Sequence, residues 1–327
     1  MKYLITGITG HLAPHLARLL LNDGYEVHGM LRGSSGREYD LLDVLTQKEV
    51  ESIQYHYTDL RDFYSLKKII DKNAFDGVFH LASQSHPAFS FQDPLLTWQS
   101  NVMGSINLFT AIQGTATKIV VASTSEVYGD QGKHVEILTE DMPLKPSNPY
   151  GASKAAMDLY LQERINNGFI NGVIARPFSH CAPRRGKIFS ISSDAYQLAK
   201  MALGLQEPIL KVGNLSTERV VIDARDVAKA YALLMALDTK EKIFNICGEK
   251  NRLHSMQFYT DTLIKISGLK VDKQVYMPYY REIDIQRQWG SSDRIRDLGW
   301  KETIPIEQTL EDIYRYWIDK LTQNNNL

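Results

Sequence analysis

Short apolar runs alternate with stretches of helical period through the first half of the chain. Lys2–Thr6 reads as a strand, and His11–Asn22 as a helix with Leu12, Leu16, Leu19 and Leu20 on one side. Glu26–Leu31 is the next strand, followed by a polar loop at Arg32–Arg37 and a helix near Tyr39–Lys48. Ser52–Tyr57 reads as a strand, Asp62–Asp71 as a helix, Gly77–Ala82 as a strand and Pro94–Ile112 as a long helix. Lys118–Ser123 is a strand apolar enough to be buried on both faces. Repeated strand–helix units of this kind predict an α/β fold, a doubly wound parallel sheet with helices on both faces.

From Asn148 the pattern loosens. Asn148 can cap a helix over Pro149–Asn167, and proline suits its first turn. A strand at Val173–Arg176 follows. Loops rich in Pro, Arg and Ser then separate helices near Ser193–Leu203, Asp226–Leu237, Met256–Ile266 and Glu307–Lys320, with a polar tail at Gln323–Asn326. The pattern divides the chain into a sheet domain over 1–175 and a smaller α/β lobe mainly over 176–327, some of whose segments can return to the sheet.

Length and composition narrow the function. The 327 residues, 43% hydrophobic and 23% charged, suit one large α/β domain or two smaller ones. A net charge of −1 lacks the basic footprint of a nucleic-acid binder. Cys181 and Cys247 are too few for a disulfide framework, and they predict a reduced, cytoplasmic setting. Neither they nor His80, His86 and His180 have metal-ligand spacing, so no metal is expected. No run approaches the roughly 18–20 apolar residues of a membrane span. The start Met-Lys-Tyr-Leu-Ile-Thr leads directly into the first strand, so no targeting peptide is expected.

The chemistry begins at Thr6-Gly7-Ile8-Thr9-Gly10-His11-Leu12-Ala13, between the first strand and first helix. Small residues there let the backbone approach a pyrophosphate, and the helix N-terminus offers free N–H groups. The second strand ends without the carboxylate that would hold the ribose of NAD. Arg32 follows and can accommodate the 2′-phosphate of NADP, or it is a solvated loop residue. Tyr150 and Lys154 lie four apart on one helix face, a spacing shared by Tyr64/Lys68, Tyr196/Lys200 and Tyr316/Lys320. Tyr150 stands out because it follows the buried strand ending Ala122-Ser123-Thr124-Ser125. Ligands gather at such strand ends, and a phenol with a lowered pKa can serve hydride chemistry. Glu126 leaves the same strand and reads equally as a base or as part of a turn. Arg184, Arg185, Arg219 and Arg281 have the forked donors that suit a diphosphate.

Together these residues resemble the nucleotide-sugar branch of the extended short-chain dehydrogenases, with their Rossmann-type sheet. The resemblance is greatest to the GDP-mannose 4,6-dehydratase family and its short bacterial relatives, with the GDP-4-keto-6-deoxymannose reductases nearby. It rests on Thr6–Gly10, Gly24–Arg32, Leu81–His86, Ala122–Gly129, Asn148–Lys154, Pro183–Gly186, Val212–Leu215 and Gly299–Leu310. It implies a catalytic set of Thr124, Glu126, Tyr150 and Lys154. It also implies cofactor contacts at Gly7, Thr9, Gly10, His11, Leu12, Arg32, Asp59, Leu60, Leu81, Ala82, Ser83, Tyr150, Lys154 and His180. Substrate contacts are implied at Ser85, Ser179, Arg185, Arg219 and Arg281. The implied activity is 4,6-dehydration of a GDP-linked sugar with NADP, NAD remaining open, by a homodimer or homotetramer. A 4-reductase or 4-dehydrogenase on the same scaffold is the alternative. Three departures from the family pattern leave room for a variant sugar such as a GDP-heptose. His11-Leu12-Ala13 replaces Gln-Asp-Gly, Ser179 replaces an Asn, and Val220 follows Arg219 where an acid is usual.

Overall fold

Seven short strands, most with uninterrupted apolar stretches, form one parallel sheet in the computed structural model, which describes residues 1–33, 38–280 and 284–325. They are β1 (Lys2–Thr6), β2 (Glu26–Leu31), β3 (Gln54–Tyr57), β4 (Gly77–His80), β5 (Lys118–Ala122), β6 (Asn171–Pro177) and β7 (Ile243–Ile246). The spatial order is β7-β6-β5-β4-β1-β2-β3. His56, Met30, Thr6, His80, Val121, Ile174 and Ile243 stand level across the sheet, so the carboxyl ends of the strands form one rim. The order reverses between β1 and β4, which opens a crevice at that rim.

Alternate side chains explain why the central strands are apolar throughout. Ile5, Phe79, Val120 and Ala175 face one cluster with Leu16 and Ala17 of helix Ala13–Asn22 and Val227, Tyr231 and Leu234 of helix Ala224–Ala236. Leu4, Val78, Ile119 and Ile174 face the other, with Leu66 and Ile70, Leu108 and Phe109, and Met157 and Leu161. Both faces are covered, so period-2 polarity vanishes from these strands. A third cluster, built around Leu198, Val212, Tyr259, Leu263 and Leu310, lies outside the sheet.

Several elements differ from the sequence pattern. The helix expected near Tyr39–Lys48 is instead a 3-10 turn over Glu38–Asp43 and a helix over Gln47–Ser52. Thr46 starts the latter with a capping box, its hydroxyl accepting from Glu49 N at 3.3 Å. The helix expected over Pro94–Ile112 changes to π geometry over Gln99–Met103. A separate helix, Pro87–Gln92, and strand β7 have no counterpart in the sequence reading. The loop expected at Arg32–Arg37 falls largely outside the described residues. The last helix runs over Ile306–Asn325, through most of the expected polar tail. No described helix is long and apolar enough to cross a membrane.

Candidate active site

The rim of the sheet opens on a cavity of about 980 Å³, at the upper end of the roughly 300–1,000 Å³ usual for small-molecule sites. Its floor begins at the turn after β1. Gly7 N donates to Met30 O at 3.0 Å, and Gly10 N to Gly7 O at 2.8 Å. Gly7 sits at φ +70°, and a Cβ there would stand 2.8 Å from Ala82 Cα, so no side chain fits. The following helix starts at Leu12 without a side-chain cap. A backbone cradle that a Cβ would fill, beside uncapped N–H groups, fits the pyrophosphate of a dinucleotide.

A buried polar relay fixes this floor. Leu81 N and Ala82 N donate to Thr6 Oγ1 at 3.2 and 3.1 Å, which leaves the Thr6 proton for His80 Nδ1 at 2.8 Å. Burial, with Lys154 nearby, lowers His80 to about 3, so its ring is neutral. With Nδ1 accepting, the proton belongs on Nε2, which faces Ser105 Oγ at 2.8 Å. Ser105 passes the chain to Asn101 O at 2.6 Å. Asn101 lies in the π segment and grips Gln84 by both its amide groups, at 2.8 and 2.9 Å. It also donates to Ser153 Oγ at 3.0 Å, and Ser153 donates to Tyr150 O at 2.7 Å. The turn over the β1–β4 crevice is thereby tied to the tyrosine helix.

That helix, Pro149–Asn166, is capped by Asn148, whose Oδ1 accepts from Gly151 N at 2.7 Å. The same amide donates through Nδ2 to Glu126 Oε2 at 2.7 Å, so one residue both starts the helix and orients the carboxylate. Thr124 follows β5, accepts from Glu126 N at 3.2 Å and stands close enough to the Tyr150 hydroxyl to lower its pKa. Burial pushes the Tyr150 phenol up to about 12, and Glu126 adds to the rise; Thr124 and Arg185 oppose it. Lys154 instead donates its ammonium to Ala122 O. Burial lowers Lys154 to about 8, and Asp158 one turn on resists that fall. Asp158 is itself fully buried in a bidentate pair with Arg176 at 2.9 Å and accepts from Ser123 at 2.6 Å.

Also on the cavity, Arg185 lies 3.6 Å over the Phe189 ring and donates to His11 Nδ1 at 3.0 Å. His11 stacks on His180 with centroids 5.3 Å apart. Burial lowers Arg185 to about 10, His180 to about 4 and His11 well below its ordinary value. Arg219 donates to Glu218 O at 2.9 Å and pairs with Asp284 at 3.3 Å.

The described candidates for catalysis, cofactor and substrate, Arg184 excepted, meet on this one cavity, including Thr9, Arg32, Asp59, Leu60, Ser83, Ser85 and Ser179. Arg281 lies outside the described residues. Arg184, a sequence candidate for a diphosphate grip, is not on the cavity wall. At φ +73° it turns back onto the glycine turn, reaching Gly10 O at 3.2 Å. The other Tyr/Lys pairs lie elsewhere. Tyr64 is 84% exposed, Tyr196 packs edge-on against Trp317, and Tyr316 and Lys320 both bond Asp43. The sequence reading missed Asn101, Ser105 and Ser153, and took Asn148 only as a cap. Asn101 and Ser105, four apart within the helical run Pro94–Ile112, are the trace of the relay in that segment.

The chain matches the family model described as GDP-mannose 4,6 dehydratase over residues 4–313. It is 29% identical to GDP-mannose 4,6-dehydratase sdnI of Sordaria araneosa over 94% of its length, although it spans only 59% of that longer protein. Against GDP-6-deoxy-D-mannose reductase of Pseudomonas aeruginosa it is 32% identical, covering 76% of this chain and 82% of that one. The structure of RMD from Pseudomonas aeruginosa complexed with NADPH superposes with a TM-score of 0.81 at 28% identity, covering 98% of this chain and 99% of that one.

Proposed function

The chain belongs to the GDP-mannose 4,6-dehydratase family of NAD(P)-dependent nucleotide-sugar enzymes, and from that premise we propose that it is a 4,6-dehydratase acting on a GDP-mannose-type sugar with NADP. The observation that carries this reading is Glu126. Asn148 holds this carboxylate on the cavity wall, close enough to Tyr150 to raise its pKa. Oxidation or reduction at C4 alone has no use for such a base.

The glycine turn after β1 and the first-turn N–H groups of the next helix would bind the dinucleotide pyrophosphate. Arg32, exposed at the end of β2, would meet the 2′-phosphate. Bound there, the nicotinamide would supply the hydride acceptor for sugar C4 and the hydride donor for C6. Tyr150 Oη takes the C4 hydroxyl proton, and Thr124 Oγ1 holds that oxygen. The C4 ketone acidifies C5; Glu126 takes the C5 proton and passes it to the C6 hydroxyl, which leaves as water. C5 is then reprotonated from solvent, to which Tyr150 returns the C4 hydroxyl proton. Lys154 would supply positive charge beside the ribose, and Arg185 would meet the substrate diphosphate. A cationic nicotinamide bound nearby would oppose the burial that holds the phenol at about 12 and ease its loss of a proton.

In heavy water the product should gain deuterium at C5, lose the mass of one water and leave the cofactor pool unchanged. Glu126→Gln should bind sugar and stall at the 4-keto stage, as seen by mass spectrometry. A product retaining all its oxygen, or cofactor consumed one-for-one with sugar, would instead establish a 4-reductase or 4-dehydrogenase. The 32% identity to the Pseudomonas aeruginosa reductase makes that the reading to test against.

A further inference from the structure

Away from the glycine turn, the cavity wall is formed by helices Ser190–Ala202 and Met256–Ser267 and by the segment 212–215. Asp194 stands on this wall and is only 5% exposed. Thr260 Oγ1 donates to its Oδ2 at 2.7 Å, and among the described residues Oδ1 has no partner. Burial pushes its carboxyl up to about 7, opposed by the Thr260 hydroxyl and by no lysine, arginine or histidine among the described residues. A desolvated carboxylate without a cation is costly unless donors reach it. No step of the chemistry at Tyr150 uses it. Val212, Leu215 and Met256 supply apolar wall to the same cavity and pack in or against the cluster that holds Ala195 and Leu198 of the Asp194 helix.

Apolar cavity wall together with a buried carboxylate suits a flat heteroaromatic ring that presents N–H donors. Among nucleobases only guanine offers two adjacent donors, N1–H and N2–H, matched to the two acceptors of a carboxylate. Uracil flanks its single N–H with carbonyl oxygens that a carboxylate repels, and adenine and cytosine each set an acceptor beside their amino group. We propose that Asp194 reads the base of the sugar nucleotide and selects guanine through N1–H and N2–H, with Thr260 fixing the carboxylate. The proposal rests on the nucleotide-sugar reading above and deepens it.

The test is calorimetric titration of the full chain, with NADP present and on the alkaline side of neutrality, against GDP, IDP, XDP, UDP and ADP. GDP should bind tightest. IDP, which lacks the 2-amino group, should be weaker by about 10-fold, the scale of one hydrogen bond to a charged group. Asp194→Asn should weaken GDP by about 10- to 100-fold. It should also improve XDP, whose C2 carbonyl accepts from the new amide; such a gain cannot come from misfolding. If GDP is preferred but Asp194→Asn leaves the order of GDP, IDP and XDP unchanged, Asp194 is not the reader and the nucleotide-sugar reading stands. Tighter binding of UDP or ADP than GDP overturns the guanine assignment. Binding of no nucleoside diphosphate overturns the nucleotide-sugar reading itself.

Discussion

At the scale of single residues, four Tyr/Lys pairs share one spacing, and their surroundings separate them. Tyr150 is buried beside Thr124 at the end of a central strand, whereas Tyr64 is 84% exposed. Tyr150→Phe removes only the ionisable hydroxyl. Turnover should therefore fall by about 10²- to 10⁴-fold, the usual share of a positioned acid–base group, with sugar and cofactor dissociation constants preserved. Tyr64→Phe should leave turnover unchanged. Steady-state rates beside calorimetric binding decide the matter, and a Tyr64→Phe loss equal to that of Tyr150→Phe would refute the assignment. Glu126 could be read either way from its neighbours in sequence. Its contact with Asn148, 22 positions on, is what gives it an orientation.

At the scale of elements, the turn after β1 is shaped by what stands above it. Gly7 and Gly24 both have positive φ, +70° and +77°, but a Cβ at Gly24 meets nothing within 4 Å. Each alanine substitution incurs about 1–2 kcal/mol of left-handed strain. Only Gly7→Ala also strikes the Ala82 backbone, which the Thr6 hydroxyl holds in place. Gly7→Ala should therefore weaken cofactor binding by at least about tenfold (about 1.4 kcal/mol), while Gly24→Ala lowers only the melting temperature. Fluorescence titration of NADPH against both variants checks this, and equal binding by the two would show that the cradle is not selective. The π turn at Gln99–Met103 belongs to the same device, since it carries Asn101, which ties Gln84 to the tyrosine helix.

At the scale of the molecule, the rim is assembled around histidines kept neutral by burial. His80 is 1% exposed and held at about 3, against an ordinary value near 6.5. The unfolded chain takes up a proton there below pH ~6.5 and the folded chain does not. Stability is thus full above that pH and falls as pH drops toward the folded value, by up to about 1.4 kcal/mol per unit. His15 and His180, each lowered to about 4, act in the same sense. The melting temperature should decline from neutrality to mildly acidic pH, and His80→Asn should flatten that slope even if it lowers the starting value. Parallel slopes for the two proteins would rule out His80 as the source.

The sequence by itself determined the alternation of strand and helix, the parallel sheet and the glycine turn, because these follow from local period and from backbone sterics. It also supplied the residues of Thr124–Glu126 and Tyr150–Lys154, which lie close to strand and helix ends that short-range pattern marks. Tertiary structure alone decided the rest. Strand β7 is a four-residue run whose pairing partner lies about 70 positions earlier, so period could not reveal it. The relay from Thr6 through His80 and Asn101 to Tyr150 joins four separate segments by hydrogen bonds, and hydrogen bonds leave no periodic trace in sequence. Arg184 and Arg185 are neighbours of identical chemistry, and the left-handed backbone at Arg184 sends only the second to the cavity. Asp194 reads as a helix residue until helix Met256–Ser267 buries it against Thr260. Burial and partnership are properties of the packed chain, and they separate a surface carboxylate from one that can recognise a base.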